Sequence, residues 1–295
     1  MDNGFVGYHP ILNFIFFIGA IIMGMIFVHP IFLCISIGAS ALYYLVLTGK
    51  KGIRYIFTMF IIALAISLIN PILNTLGSSV LFTYLKGRRF TLEALLYGFA
   101  TGGMFFSILL WFACYNHIMT SDKFIYIFGK FIPIISLLLS MVLRLIPSFK
   151  SQIMAISGAR KSIGKANGKD SKRQRLFSSM DVLSALTSWA LEGAIITADS
   201  MKSRGYGSGK RTHFSNYRFC IRDGIVFSIM LIGLSMVILG AIGGGMQISY
   251  YPTVSLSRGT WHMVVGALGY MMFLFIPSAI HIGEDIIWHI LRSRI

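Results

Sequence analysis

Apolar runs of similar length, separated by short clusters of glycine, proline and basic residues, set the rhythm of this chain. Six of them, over about 11–28, 31–47, 55–73, 94–116, 224–242 and 262–282, predict membrane-crossing helices, because roughly 20 apolar residues span a hydrocarbon core about 30 Å thick. His29-Pro30, Gly49-Lys50-Lys51-Gly52 and Lys86-Gly87-Arg88-Arg89 supply turn chemistry between them. Asn70-Pro71 is a point where the third span could end early, since a residue before proline is pushed out of the helical region. Met1 to Pro10 has no basic stretch ahead of its apolar run, so it is read as part of a retained first span and not a cleaved signal.

Between the fourth and fifth runs the pattern changes. Over 133–164 an apolar first half, from Ile134 to Leu143, turns polar after Arg144. Over 176–203, Leu183, Leu186, Ala190, Ile195 and Ala198 mix with Asp181, Ser184, Thr187, Glu192 and Asp199. Both stretches predict long helices. Neither is apolar all round, so both are expected to lie beneath or against the bilayer as amphipathic helices and not to cross it. Lys165 to Arg173 reads as a solvated linker between them. The predicted fold is therefore an all-α polytopic membrane protein: transmembrane helices over 1–118, a cytoplasmic region with two long amphipathic helices over 119–222, and transmembrane helices over 223–295.

Composition sharpens this. The 295 residues are 56% hydrophobic and only 12% charged, with a mean hydropathy of +0.75. An ordinary soluble domain is about one quarter charged, so a soluble enzyme is excluded. Cys34, Cys114 and Cys220 form no CxxC pair and no even-numbered framework, which argues against disulfide scaffolding and structural zinc. The formal charge is +16, and residues 144–222 hold 15 of the 26 lysines and arginines against four of the ten acids. The positive-inside rule places this block in the cytoplasm. Counting spans outwards from it puts both termini inside, and it leaves Lys86, Arg88 and Arg89 outside, against the rule.

The most informative feature is how the two long helices end. The first stops at Gly158-Ala159-Arg160-Lys161-Ser162-Ile163-Gly164 and the second at Lys202-Ser203-Arg204-Gly205-Tyr206-Gly207. An arginine in the last turn with a glycine beyond it caps any helix well. Two such ends on successive amphipathic helices also offer planar donor forks to a partner's groove. Phosphate loops are absent: neither Gly205 to Arg211 nor Gly164-Lys165-Ala166 has the G-x-x-x-x-G-K-[ST] spacing. His281, Glu284, Asp285 and His289 share a helical face whose spacing could ligate a metal, but no second buried ligand pair accompanies them, and they are read as a solvated helix end. His9 and His29, each before a proline, read as structural. Gly98-x-x-x-Gly102 and Gly240-x-x-x-Gly244 would allow close helix approach. No span carries a central charge of the type that marks an ion path.

Ala198 to Tyr206 with Lys210-Arg211-Thr212 resembles the second signature of the transmembrane T component of energy-coupling factor (ECF) transporters. Leu143-Arg144-Leu145-Ile146-Pro147 with Gly158-Ala159-Arg160 resembles the first, although Lys161 stands where that family often has glycine. His9-Pro10, Thr91 to Leu95, Tyr97-Gly98 and Thr120-Ser121-Asp122 extend a weaker similarity along the chain. The resemblance implies a non-catalytic scaffold in a prokaryotic plasma membrane, without cofactor, metal or nucleic acid. Two coupling helices would engage two ABC-type ATPase subunits, and a separate membrane-embedded S component would bind a vitamin or metal ion. Ala159, Arg160, Lys161, Ser203, Arg204 and Gly205 would form the ATPase contacts; the apolar stretch from Ile134 to Leu143 is expected, from amphipathic character alone, to form the contact for the S component. A self-contained permease or channel is the alternative, and a membrane-embedded lipid or prenyl transferase a further one, disfavoured by the scarcity of carboxylates for magnesium.

Overall fold

The computed structural model describes residues 4–74, 77, 79–84, 88–129, 132–164, 172–209, 217–244, 246, 248–251, 255–256 and 261–292. After a short 3-10 turn, Phe5–Gly7, the helices are α1 (Pro10–Ile26), α2 (Pro30–Thr48) and α3 (Gly52–Leu73). A β-hairpin of β1 (Val80–Tyr84) and β2 (Arg88–Thr91) leads to α4 (Leu92–Ile118), α5 (Ser121–Gly129), α6 (Pro133–Ser162), α7 (Lys172–Ser203) and α8 (Ile221–Ile242). A second small hairpin, β3 (Ile248–Ser249) with β4 (Ser255–Leu256), precedes α9 (Trp261–Arg292). Among the described residues, five stretches are long and apolar enough to cross a membrane: Pro30–Leu73, which contains α2 and α3, Leu92–Ile118, Ile134–Ser162, Ile221–Ile242 and Trp261–Arg292. With the shorter apolar α1, this is an all-α polytopic membrane protein.

Each of the six predicted spans falls on a helix of its own, and one expectation is corrected. Asn70-Pro71 does not cut the third span: α3 runs through Pro71 to Leu73. The loss is small because proline removes one N–H, and its ring sits in the last turn where little helix remains to be distorted. α6 also has the length and apolarity of a candidate span over Ile134–Ser162, because Arg144 and Lys150 are the only charges in its first seven turns or so.

The chain divides into two compact units, Met1–Phe124 with Tyr217–Ile295, and Ile125–Asn216. The middle unit lies within the predicted 119–222 region. The flanking segments, expected as separate sets of helices, make one unit, because α9 and α8 pack into the N-terminal helices. Phe16 of α1 stacks on Phe273 of α9 with centroids 5.2 Å apart, and Phe32 of α2 meets Tyr270 edge-on at 5.5 Å. Trp111 of α4 is fully buried among Phe16, Phe17 and Tyr43, and its indole N–H donates to Ser36 Oγ at 3.2 Å. Ser36 also shares a hydrogen bond with Ser107, tying α2 to α4.

Small residues set the closest approaches. A Cβ at Gly98 would collide with the Ser67 carbonyl, and one at Gly102 would lie 2.8 Å from the Ala63 carbonyl oxygen. The Gly98-x-x-x-Gly102 face is thus filled by α3. The second predicted pair is divided: α8 ends at Ile242, and Gly244 lies beyond it at φ +69°. Instead Gly233 and Gly240 of α8 face Gly269 and Gly266 of α9.

Candidate functional site

α6 and α7 form the core of the middle unit. Pro133 occupies the first helical turn of α6, where a missing N–H costs nothing, and Pro147 lies inside it at the boundary between its apolar and polar halves. Phe149 of α6 meets Trp189 of α7 edge-on at 5.7 Å, whereas Arg160 reaches Asp181. Contacts that move forward on α6 move backward on α7, so the helices run antiparallel where they touch.

Both ends are closed by glycine in the left-handed region. At α6 the Gly164 N–H donates to the Lys161 carbonyl at 3.1 Å, with Gly164 at φ +75°. At α7 the Gly205 N–H donates to the Lys202 carbonyl at 3.0 Å and the Tyr206 N–H to the Met201 carbonyl at 3.0 Å, with Gly205 at φ +78°. This is the doubly bonded glycine cap that satisfies carbonyls left over at a helix end. Ser203 Oγ adds a bond to the Ser200 carbonyl at 2.9 Å.

The two arginines differ in their surroundings. Arg160 stands four residues before its glycine and turns sideways onto α7: its Nη2 lies 2.9 Å from Asp181 Oδ2 and donates to Ser178 Oγ at 3.3 Å. Its side chain is only 17% exposed, with Nε buried and unpartnered. Arg204 is the cap residue itself, directly before Gly205, and is exposed. Among the described residues it has no ion-pair partner. Ala159, Lys161, Ser203 and Gly205 are exposed beside these arginines. The structure does not bring the arginines together: the Asp181 anchor of Arg160 lies near the start of α7 and Arg204 at its end, roughly 35 Å apart at about 1.5 Å of rise per residue. Asp181 and Ser178 were missed as partners, although Asp181 is among only four acids in a basic block.

Apolar surface is the other property of this unit. Ile134, Ile135, Leu138 and Ile146 on α6 are exposed, as are Met180, Leu183, Leu191 and Ile195 on α7. No soluble helical hairpin leaves so much apolar surface in water.

At one end of the bundle unit the N-terminal segment is clasped by charged groups. The Gly4 N–H donates to Glu284, which also faces Arg222 at 3.9 Å, and the Arg222 guanidinium lies 4.3 Å from the Tyr8 ring centroid. Asp223 accepts from the amides of His9 at 3.3 Å and Cys220 at 2.9 Å, while Lys123 Nζ donates to the Val6 carbonyl at 2.6 Å. Burial raises the Tyr8 pKa, and Arg222 works against that. His281 Nε2 is 3.9 Å from Asp285. Glu284 is thus directed to the chain's own amide and not to a shared centre with His281, and among the described residues no group of three His, Cys, Asp or Glu could hold a metal. The side chain of His289, Lys86-Gly87, residues 165–171, Lys210 to Thr212 and Arg294 lie outside the described residues.

A comparison with protein-family models finds no match for the chain, and a comparison with curated proteins finds no similar sequence.

Proposed function

We propose that this protein is the transmembrane scaffold of an ECF-type importer. In this reading it passes the ATP-driven motion of two ABC-type ATPase subunits to a separate membrane-embedded S component that binds the vitamin or metal-ion substrate. It catalyses nothing itself. In this reading the middle unit and both termini face the cytoplasm, which the excess of lysine and arginine over 144–222 supports.

One observation carries the reading: two long helices, each closed by a left-handed glycine, hold arginines at opposite ends of their antiparallel pair. A scaffold serving two ATPase subunits needs two separated contact points. Arg204 presents a free planar fork to the carboxylates or carbonyls of a groove. Arg160 acts differently, fixing the α6 end against α7 through Asp181, so that exposed Ala159 and Lys161 form the contact surface there. The exposed apolar faces of α6 and α7 suit lipid and the S component, with the apolar half of α6 as the sliding surface.

The test is a detergent pull-down of the tagged chain from its native cells, with ATP hydrolysis and subunit masses as readouts. Wild type is expected to bring down ATPase subunits, Arg204→Ala to lose them, and Asp181→Asn to retain more than Arg204→Ala. Wild type that recovers no ATPase, or ATPase retained in full by Arg204→Ala, overturns the reading.

A further inference from the structure

The chain crosses between its two compact units twice, entering the middle unit after Phe124 and returning at Tyr217. Inside the bundle unit both crossings meet the same short piece of backbone, the segment from Gly4 to His9. At the entry, Lys123 of α5 is buried and its Nζ donates to the Val6 carbonyl at 2.6 Å. An ammonium group taken out of water needs its donors used, so this carbonyl helps to hold Lys123 where it is. At the return, Phe219 meets the His9 ring edge-on at 5.6 Å and the Arg222 guanidinium lies over the Tyr8 ring. Asp223, also buried, accepts from the His9 amide with one oxygen and from the Cys220 amide with the other. Burial raises the Tyr217 pKa and Asp122 raises it further, so the two crossings lie near each other.

The segment is anchored to α1 and α9. Phe5 is fully buried, edge-on to Phe16 at 5.4 Å and to Phe17 at 6.4 Å. Gly4 lies at φ +98°, a conformation that a residue with a Cβ rarely adopts, and a Cβ there would collide with the His281 ring. Its amide donates to Glu284. The three residues Phe5–Gly7 form the only regular turn in the segment. Its path is therefore set by these contacts, and a shift at one of them is passed to the others.

We propose that Gly4 to His9 is a strap that clamps both crossings at once, so that its docking sets how freely the middle unit moves on the bundle. The entry and the return are held as one hinge through the strap and not as two separate junctions. The proposal goes beyond the transport reading and does not depend on it.

Hydrogen exchange of the full chain in one detergent, read by mass spectrometry on peptides covering 119–124 and 217–223, tests the strap. Peptides around Trp111 in α4 report global opening. Gly4→Ala strains a residue whose own partners are on α9. It is expected to speed exchange at both crossings by roughly tenfold, the factor equivalent to one lost net hydrogen bond, with the Trp111 peptides unchanged. Should His281 turn aside for the new methyl, Gly4→Ala with Glu284→Ala removes the amide's acceptor as well, and the entry peptide is then the one to read. Lys123→Met keeps the volume, removes the entry contact and is expected to loosen the return too. Cys220→Ala trims only the cap of α8 and is expected to loosen the return alone. An entry that stays fully protected in both Gly4 variants overturns the proposal, as does a return that stays fully protected in Lys123→Met. Exchange that rises equally at Trp111 also overturns it, because the segment is then an ordinary part of the core.

Discussion

His9 and His29 hold the same position in successive helices: N-cap, directly before a proline, with imidazole Nδ1 accepting the N–H of Ile11 at 3.3 Å and of Ile31 at 3.4 Å. Proline at the first helical position is set for the turn, and the ring nitrogen takes the place usually filled by a serine or aspartate oxygen. Only an unprotonated Nδ1 can accept, so the cap requires the neutral ring. Burial lowers both pKa values below the ordinary 6.5, with Asp223 pulling His9 back upwards. A folded-state pKa below the unfolded one means that the caps' contribution is complete above the unfolded value and is lost as the pH falls through the folded one. The apparent unfolding midpoint of the purified chain should therefore drop as the pH falls below about 6.5, the ordinary histidine value. In a His9→Asn, His29→Asn double variant, where the amide caps without titrating, that drop should shrink, each cap being worth about 0.5–2 kcal/mol. An identical pH slope in both proteins would show that the imidazoles do not cap.

Among the elements, α3 with α4 and α8 with α9 are held by glycine notches, and these are the places where one added side chain matters most. Gly98→Leu would drive a side chain into the Ser67 carbonyl and into Pro71, an overpacking expected to cost about 1–3 kcal/mol. Gly38→Leu, with nothing within 4 Å of its Cβ position, is the tolerated comparison. Thermal unfolding of the two variants in the same detergent separates the cases, and equal midpoints would mean that the notch is slack. Gly98 and Gly102 could be read from the chain because both lie inside one apolar run, so spacing alone put them on one face. Gly240 and Gly244 could not, because pairing requires knowing that the helix ends at Ile242. The working partners, Gly233 and Gly240 against Gly266 and Gly269, sit in two runs far apart in sequence and become a pair only through tertiary packing. The six spans themselves were legible because length and apolarity are local properties. α6 carries both characters, an apolar first half and a charged second half, and over Ile134–Ser162 it also has the length and apolarity of a candidate span.

For the molecule as a whole, the separation of the two arginine ends decides what kind of device the middle unit is. Both ends were visible in the chain as glycine-closed stops, but local sequence says nothing about which way one helix runs past another. The Phe149–Trp189 and Arg160–Asp181 contacts make the pair antiparallel and put the arginines at opposite ends. Under the proposed function they are two contact points and not one composite site. Substitutions farther apart than about 7–10 Å with no shared partner add in free energy. Arg160→Ala and Arg204→Ala should thus weaken ATPase retention independently, with a coupling of at most about 0.5 kcal/mol when binding is titrated for each single variant and the double one. Arg160→Ala and Asp181→Ala touch one ion pair, and their effects on unfolding should fail to add, by about 0.2–1 kcal/mol for a pair whose carboxylate is largely in solvent. Strong coupling between the two arginines would mean that they grip one partner surface together. A scaffold with a single attachment point could not transmit the relative movement of two subunits, so that result would remove the mechanical basis of the proposal as well as the geometry behind it.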